Sequence, residues 1–169
     1  MSLPVEIISL AAQVVEDLRA RGETLSTAES LTAGAVSSAI VTIAGASDVF
    51  VGGTTAYRDE IKISHLGIDP ALIAKHSAIS EEVAVAMAQG ALKSFGTTWA
   101  IGTTGVAGPN PIDGHPVGAV WVAIVGVRAS NYPYLVSENL CETQLQQAPL
   151  PPLRVSLGTE RKKEVGPWF

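Results

Sequence analysis

Apolar residues at Ile8, Ala11, Ala12, Val15 and Leu18 recur at helical intervals across residues 4–21, with Glu6, Glu16, Asp17 and Arg19 outside that stripe. The spacing predicts an amphipathic helix stopped by Gly22. Residues 24–28 then read as a short strand. Ala35, Val36, Ala39 and Ile40 predict a small-residue helix over about 32–43. Residues 45–48 make a loop, and residues 51–57 a second strand, glycine-rich at its start. Asp59 is expected to cap a short helix holding Ile61 and Lys62. Asp69-Pro70 is a second start signal, an N-cap followed by proline at the first helical position. Ser80-Glu81-Glu82 opens the longest helical pattern, with Val83, Ala86, Met87, Ala91 and Leu92 inward and Gly96 as its stop. Residues 99–103 and 117–125 are apolar strands. The second is nearly continuous, as expected where both faces are covered. Strands alternating with helices predict a layered α/β domain over residues 1–128.

After Arg128 the pattern stops. Residues 129–169 hold half of the prolines and the cluster Arg161-Lys162-Lys163, and read as an atypical, solvated tail, with a docking peptide as the alternative. A length of 169 residues suits one domain, and a hydrophobic fraction of 47% with only 5% aromatics implies a core of Ala, Val, Ile and Leu. The net charge of −5 gives no nucleic-acid footprint. Apolar runs are too short for a membrane span, and no basic segment precedes an early apolar stretch. The single Cys141 makes no internal disulfide, which fits a reducing, cytoplasmic setting.

Candidate chemistry begins with Ser30. A serine just past a strand and before a helix is exposed by a tight turn, and N–H groups at the helix start then face a developing oxyanion. The structural alternative is that Ser30 or Thr32 caps the helix. His65, His76 and His115 have neither metal-ligand spacing nor a triad pattern, so no metal is expected. Lys62 is the better base: the positive end of a helix and partial burial both favour the neutral amine, and Tyr57 is placed to relay or orient the proton. The alternative is an exposed lysine beside Asp59 and Glu60. The stretch TTGVAGP after the strand at 99–103 offers Thr103, Thr104, Gly105 and Gly108 as a phosphate cradle, or simply as a turn. Arg58 and Lys62, then Lys75, are the nearest cations for that phosphate. A short-chain reductase is excluded because Tyr57 and Lys62 are five apart rather than four, and STAESLTAG is not a dinucleotide loop.

TAESLTAG at 27–34, AGAS at 44–47, YRDEIK at 57–62, H-x-A-x-S-E at 76–81, TTGVAGP at 103–109 and PVGAVWVA at 116–123 together resemble the C-terminal domain of the CinA family, over about residues 4–128. That family is associated with competence and damage induction, and its stand-alone members are nicotinamide-nucleotide amidohydrolases (NMN deamidases). The resemblance implies a three-layer α/β/α sandwich, often dimeric. It also implies hydrolysis of the carboxamide of nicotinamide mononucleotide to nicotinate mononucleotide and ammonia, without metal or organic cofactor. By the same resemblance Ser30 is the nucleophile, Tyr57 and Lys62 serve with it, and Ser47 is a further active-site serine. Glu29 is offered as a group favouring the cationic pyridinium ring or, equally, as a structural residue, and backbone N–H groups from Thr32 to Gly34 as the oxyanion site. Full-length relatives carry a molybdopterin-binding-like domain in front, which this chain is expected not to include. Relatives also follow the last strand with a Gly-Asp-Arg segment and a helix. VSENLCETQLQQAPLPPLRVSLG stands there instead, and leaves a non-catalytic nucleotide- or partner-binding domain as the second reading.

Overall fold

The computed structural model describes residues 3–127, 135–140, 156–157 and 161–162. In chain order the elements are α1 (Val5–Arg21), β1 (Leu25–Glu29), α2 (Ala35–Val41), a single 3-10 turn (Ala46–Asp48), β2 (Phe50–Thr55), α3 (Asp59–Leu66), α4 (Pro70–His76), α5 (Glu81–Phe95), β3 (Trp99–Gly105) and β4 (Ala119–Gly126). Three further strands follow, β5 (Leu135–Leu140), β6 (Ser156–Leu157) and β7 (Arg161–Lys162). The sheet order is β2-β1-β3-β4-β5-β6-β7; β1 is parallel to β2 and β3, and the later neighbours are antiparallel. Where residues 129–169 were expected to carry no regular pattern, β5 continues the sheet on β4. The remaining expectation of a solvated tail or docking peptide, with Cys141 and Lys163, lies outside the described residues.

Two apolar layers flank the sheet. On one face Ala11, Val15 and Leu18 of α1 and Ile40 of α2 pack on Leu25, with Trp99 and Ile101 against them. On the other, Val83, Ala84, Met87, Ala88 and Ala91 of α5, with Leu66 of α3, pack on Ala28, Ala100, Ala123 and Val125. Successive strand residues point to opposite faces, so one strand serves both layers. The result is the three-layer α/β/α sandwich. Ala86 and Leu92, expected inside, are half-buried at the margin of the α5 stripe.

Small residues let the layers close up. A Cβ added at Gly102 would meet the Ala84 carbonyl and lie 2.7 Å from the Ala88 nitrogen, both backbone atoms of α5. Neither atom can swing away as a side-chain tip can. Gly102→Ala is therefore expected to push α5 off the sheet and cost about 1–3 kcal/mol, read as a lowered denaturant midpoint with an unchanged slope.

The start and stop signals resolve locally. Gly22 and Gly96 end α1 and α5 in the left-handed conformation, Asp69 accepts from the Ala71 N–H, and Ser80 accepts from the Val83 N–H. Two expectations are corrected. Arg58, not Asp59, holds the N-cap position of α3, and Asp59 stands in its first turn. The helix expected over 32–43 is limited to Ala35–Val41, with Gly34 at its N-cap position. Its cap comes from farther upstream.

Candidate active site

The parallel strands β1, β2 and β3 all end at one edge of the sheet. From β1 the chain crosses to β2 on one side, while β3 lies on the other and turns back into β4. In open α/β sheets the usual binding place is at such a divergence, beyond the carboxyl ends of the strands, here β1 and β3. Ser30 stands there. Its N–H donates to the Thr103 carbonyl at 3.0 Å, which pins the first residue past β1 to β3. Its side chain is buried, and its hydroxyl makes no hydrogen bond among the described residues.

Glu29 and Ser30 have separate tasks. Glu29 is 1% exposed, yet its carboxylate is fully engaged. Oε2 accepts from the Thr32 hydroxyl (2.7 Å), the Gly34 N–H (3.0 Å) and the Val36 N–H (3.1 Å). Oε1 accepts from the Ser37 N–H (2.9 Å) and hydroxyl (2.6 Å). Burial pushes this carboxyl's pKa up, but the Ser37 hydroxyl and N–H, the Thr32 hydroxyl and the Val36 N–H outweigh it and hold the pKa below the ordinary value. An ionised Glu29 thus caps α2 from five residues upstream, a favourable place for an anion. This answers the capping question: neither Ser30 nor Thr32 is the cap residue, and Ser30 keeps its hydroxyl. Two expected roles are affected: the Gly34 N–H as an oxyanion donor, and Glu29, for which the structural alternative holds. The Gly34 N–H is committed to Glu29, and the oxygens of Glu29 are committed to α2. The N–H groups of Leu31 and Thr32 make no hydrogen bond among the described residues, and they are the donors left beside Ser30.

Proton directions in the surrounding network follow by elimination. Thr32 has one hydroxyl proton and gives it to Glu29, so in the 2.7 Å contact between Thr103 and Thr32 the donor is Thr103. Ser37 likewise gives its proton to Glu29, so Thr27 donates to Ser37 at 2.7 Å. Two hydroxyl chains converge on one carboxylate. Thr104 donates to the Ala78 carbonyl at 2.7 Å. The hydroxyl protons of Thr103 and Thr104, expected as phosphate donors, are therefore both engaged within the protein. Gly105 lies in β3, too close to Ala119 and Leu31 for a side chain, and Gly108 adopts a φ of +96° in the loop that follows.

Lys62 is buried, not exposed, at 2% accessibility. Its Nζ donates to the Tyr57 carbonyl at 3.2 Å and to Asp59 Oδ1 at 2.9 Å. The Ala56 N–H donates to the Glu29 carbonyl at 2.7 Å, so the exit of β2 runs beside the exit of β1. That register brings the Lys62 amine, held on Tyr57, to the same edge as Ser30. The Tyr57 phenol is a different matter: the residue is 68% exposed, and the phenol has no partner among the described residues. Tyr57 meets Lys62 through its backbone carbonyl, not through a phenol relay.

Ser47 stands apart. It sits in the turn before β2, and Leu25, at the start of β1, donates to Val49 there. Ser30 follows the far end of β1, so the two serines are separated by the length of a strand, roughly 17 Å. One chain does not bring them together. Ser47 lines a shallow hollow of about 430 Å3 with Val41 and Phe50 instead. Arg58 is exposed and forks onto Glu60. His65 contacts Ser64, His76 pairs with Glu82, and His115 lies in the loop before β4; none touches Ser30. No cluster of three potential metal ligands occurs among the described residues. No described helix is long and apolar enough to cross a membrane. The residues missed in the sequence are Ser37, Thr27 and the Asp59 carboxylate. Only Asp59 left a local signal, its i,i+3 spacing to Lys62.

Comparison with known proteins extends these findings. A family model described as the CinA C-terminal domain matches residues 7–148, past the point at which the motifs end. A CinA-like protein of Synechococcus sp. (strain RCC307) is 46% identical over 119 residues, 70% of this chain and 28% of that protein. One from Myxococcus xanthus (strain DK1622) is 41% identical over 123 residues, 71% of this chain and 29% of that protein. The chain thus spans under a third of the length of these curated relatives. Among solved structures, a competence/damage inducible protein from Agrobacterium tumefaciens superposes with a TM-score of 0.75 at 35% identity, covering 82% of this chain and 83% of the other. A CinA superfamily protein from Escherichia coli gives 0.74 at 30% identity, covering 86% of each.

Proposed function

Starting from the fact that the chain belongs to the CinA C-terminal domain family, we propose that it is a serine–lysine amidohydrolase that releases ammonia from the carboxamide of nicotinamide mononucleotide. The observation carrying this reading is the Ser30 hydroxyl, without a hydrogen-bond partner among the described residues, at the edge that also holds the buried Lys62 amine. The pyridine mononucleotide and the homodimer come from the family resemblance alone, and the cytoplasmic setting from the single Cys141.

In the proposed reaction the neutral Lys62 amine takes the Ser30 proton as Oγ bonds to the carboxamide carbon. The N–H groups of Leu31 and Thr32 face the oxyanion. The ammonium of Lys62, held by Asp59, returns the proton to the nitrogen; the C–N bond breaks and ammonia leaves. Water, giving a proton to the same amine, then cleaves the ester to free nicotinate mononucleotide and regenerate Ser30. The backbone N–H groups of Ala107 and Gly108 are the donors proposed for the phosphate, in place of the engaged threonine hydroxyls.

The test is ammonia release from nicotinamide mononucleotide. Lys62→Met keeps the buried chain and removes the base, and is expected to lower kcat by about 10²–10⁴-fold. Tyr57→Phe keeps the carbonyl that holds Lys62 and is expected to stay within a few-fold of wild type. A Lys62→Met enzyme with full turnover would refute the base. A Tyr57→Phe enzyme as slow as Lys62→Met would restore the phenol relay. Binding of the mononucleotide with no ammonia released would favour the non-catalytic reading.

A further inference from the structure

Resting on the serine–lysine reading, we infer that Asp59 is a positioning residue that aims the lone pair of Lys62. A neutral amine has two N–H bonds and one lone pair, arranged tetrahedrally with the Cε bond. At Lys62 two acceptors lie within reach of Nζ, the Tyr57 carbonyl at 3.2 Å and Asp59 Oδ1 at 2.9 Å. In the ion pair the ammonium directs two of its three N–H bonds to these acceptors, and when the third proton leaves, the lone pair takes the direction it vacates. A single acceptor would leave the amine free to rotate about the Cδ–Cε and Cε–Nζ bonds and spread the lone pair over several directions. A general base needs the reverse, since transfer depends on the lone pair meeting the Ser30 proton.

Of the two acceptors only Asp59 is a side chain. It lies in the first turn of α3, three residues before Lys62, with the pair sharing one helix face. The Lys62 side chain is 3% exposed and that of Asp59 is 49% exposed, so the carboxylate joins a buried amine to water. The neighbouring cation does not compete for it. Arg58 forks onto Glu60, with Nε and Nη2 each 3.1 Å from a Glu60 oxygen. Asp59 is thereby left to Lys62. If orientation is its task, an amide oxygen in place of the carboxylate performs it as well.

The experiment follows covalent labelling of Ser30 by a fluorophosphonate, alongside kcat and KM for nicotinamide mononucleotide, in the full chain. Labelling requires an activated serine but not the natural substrate. Failure of the substrate assignment therefore leaves the comparison at Asp59 readable. Asp59→Ala is expected to label about tenfold to a hundredfold more slowly, with kcat lowered in proportion and KM within about twofold. Asp59→Asn, which keeps an acceptor at Oδ1, is expected to remain within about threefold of wild type in both measurements. Asp59→Leu, of similar size and without an acceptor, should behave like the alanine variant and serves if that variant does not fold. Wild-type labelling rates in Asp59→Ala or Asp59→Leu would overturn the inference. So would an Asp59→Asn enzyme as slow as Asp59→Ala, because the charge and not the direction would then matter. A folded wild type that is never labelled at Ser30 would bring down the serine–lysine reading and this role with it.

Discussion

Ser30→Ala is expected to lower ammonia release by at least about 10³-fold, some 4 kcal/mol of transition-state stabilisation, while leaving thermal unfolding almost unchanged. The two halves of that expectation come from one observation. The Ser30 hydroxyl holds nothing together: it makes no hydrogen bond among the described residues, and the Ser30–Thr103 link that fixes the turn is a backbone bond that alanine also makes. Removing the oxygen takes away the nucleophile and leaves the fold's hydrogen bonds in place. A capping serine would behave oppositely, costing about 1 kcal/mol of stability on mutation and little rate. Activity and unfolding measured on the same preparation separate the two. Retained turnover together with a lowered melting temperature would return Ser30 to a structural role.

One residue earlier, the opposite pattern is expected. Glu29→Ala should cost about 3–5 kcal/mol and bring a domain of ordinary stability close to unfolding. Five donors converge on this carboxylate, three of them backbone N–H groups that cannot turn elsewhere. Glu29→Gln is the milder probe. Its NH2 must face either the Ser37 pair or the Thr32, Gly34 and Val36 trio, so a donor meets donors in both orientations. The pH dependence has a definite sign. The folded-state pKa of Glu29 is depressed, so its stabilisation is complete above the unfolded value of about 4.3 and is lost as pH falls towards the lower folded value. The gap in unfolding free energy between wild type and Glu29→Gln is therefore expected to be widest near pH 6 and to shrink towards pH 3. A gap constant over that range would mean that Glu29 is not an ionised cap.

The contrast between these neighbours shows how much of the site could be read from the chain. The strand before Ser30, the helix after it and the placement of a hydroxyl at the exit between them follow from local pattern. So do the stops at Gly22 and Gly96 and the caps at Asp69 and Ser80. These features depend on residues within about one helical turn or one strand repeat of each other, where periodicity and backbone preference act directly. The α/β alternation and the two-sided sheet belong to the same class.

Other assignments turned on contacts that no local rule reaches. Thr32 and Thr103 meet across 71 positions of sequence, and that meeting decides which proton Thr103 can give. Glu29 could be read as facing substrate until α2 folded back over it with its free N–H groups. For Lys62 the chain leaves open a partly buried base or an exposed lysine beside two acids; the fold buries it, with Asp59 as its partner. Tyr57 follows a strand in the expected place, yet its phenol points outward and only its carbonyl serves the amine. Ser47 carries a family motif, but strand direction sends it to the far edge of the sheet. The sequence by itself determined most of the helices and strands before residue 128, though not β5, and that a serine stands at the exit of the first strand, because those depend on near neighbours. The tertiary structure decided which polar groups are already engaged and which remain free to react, because a hydrogen bond or a buried charge is settled by whatever the fold brings alongside it.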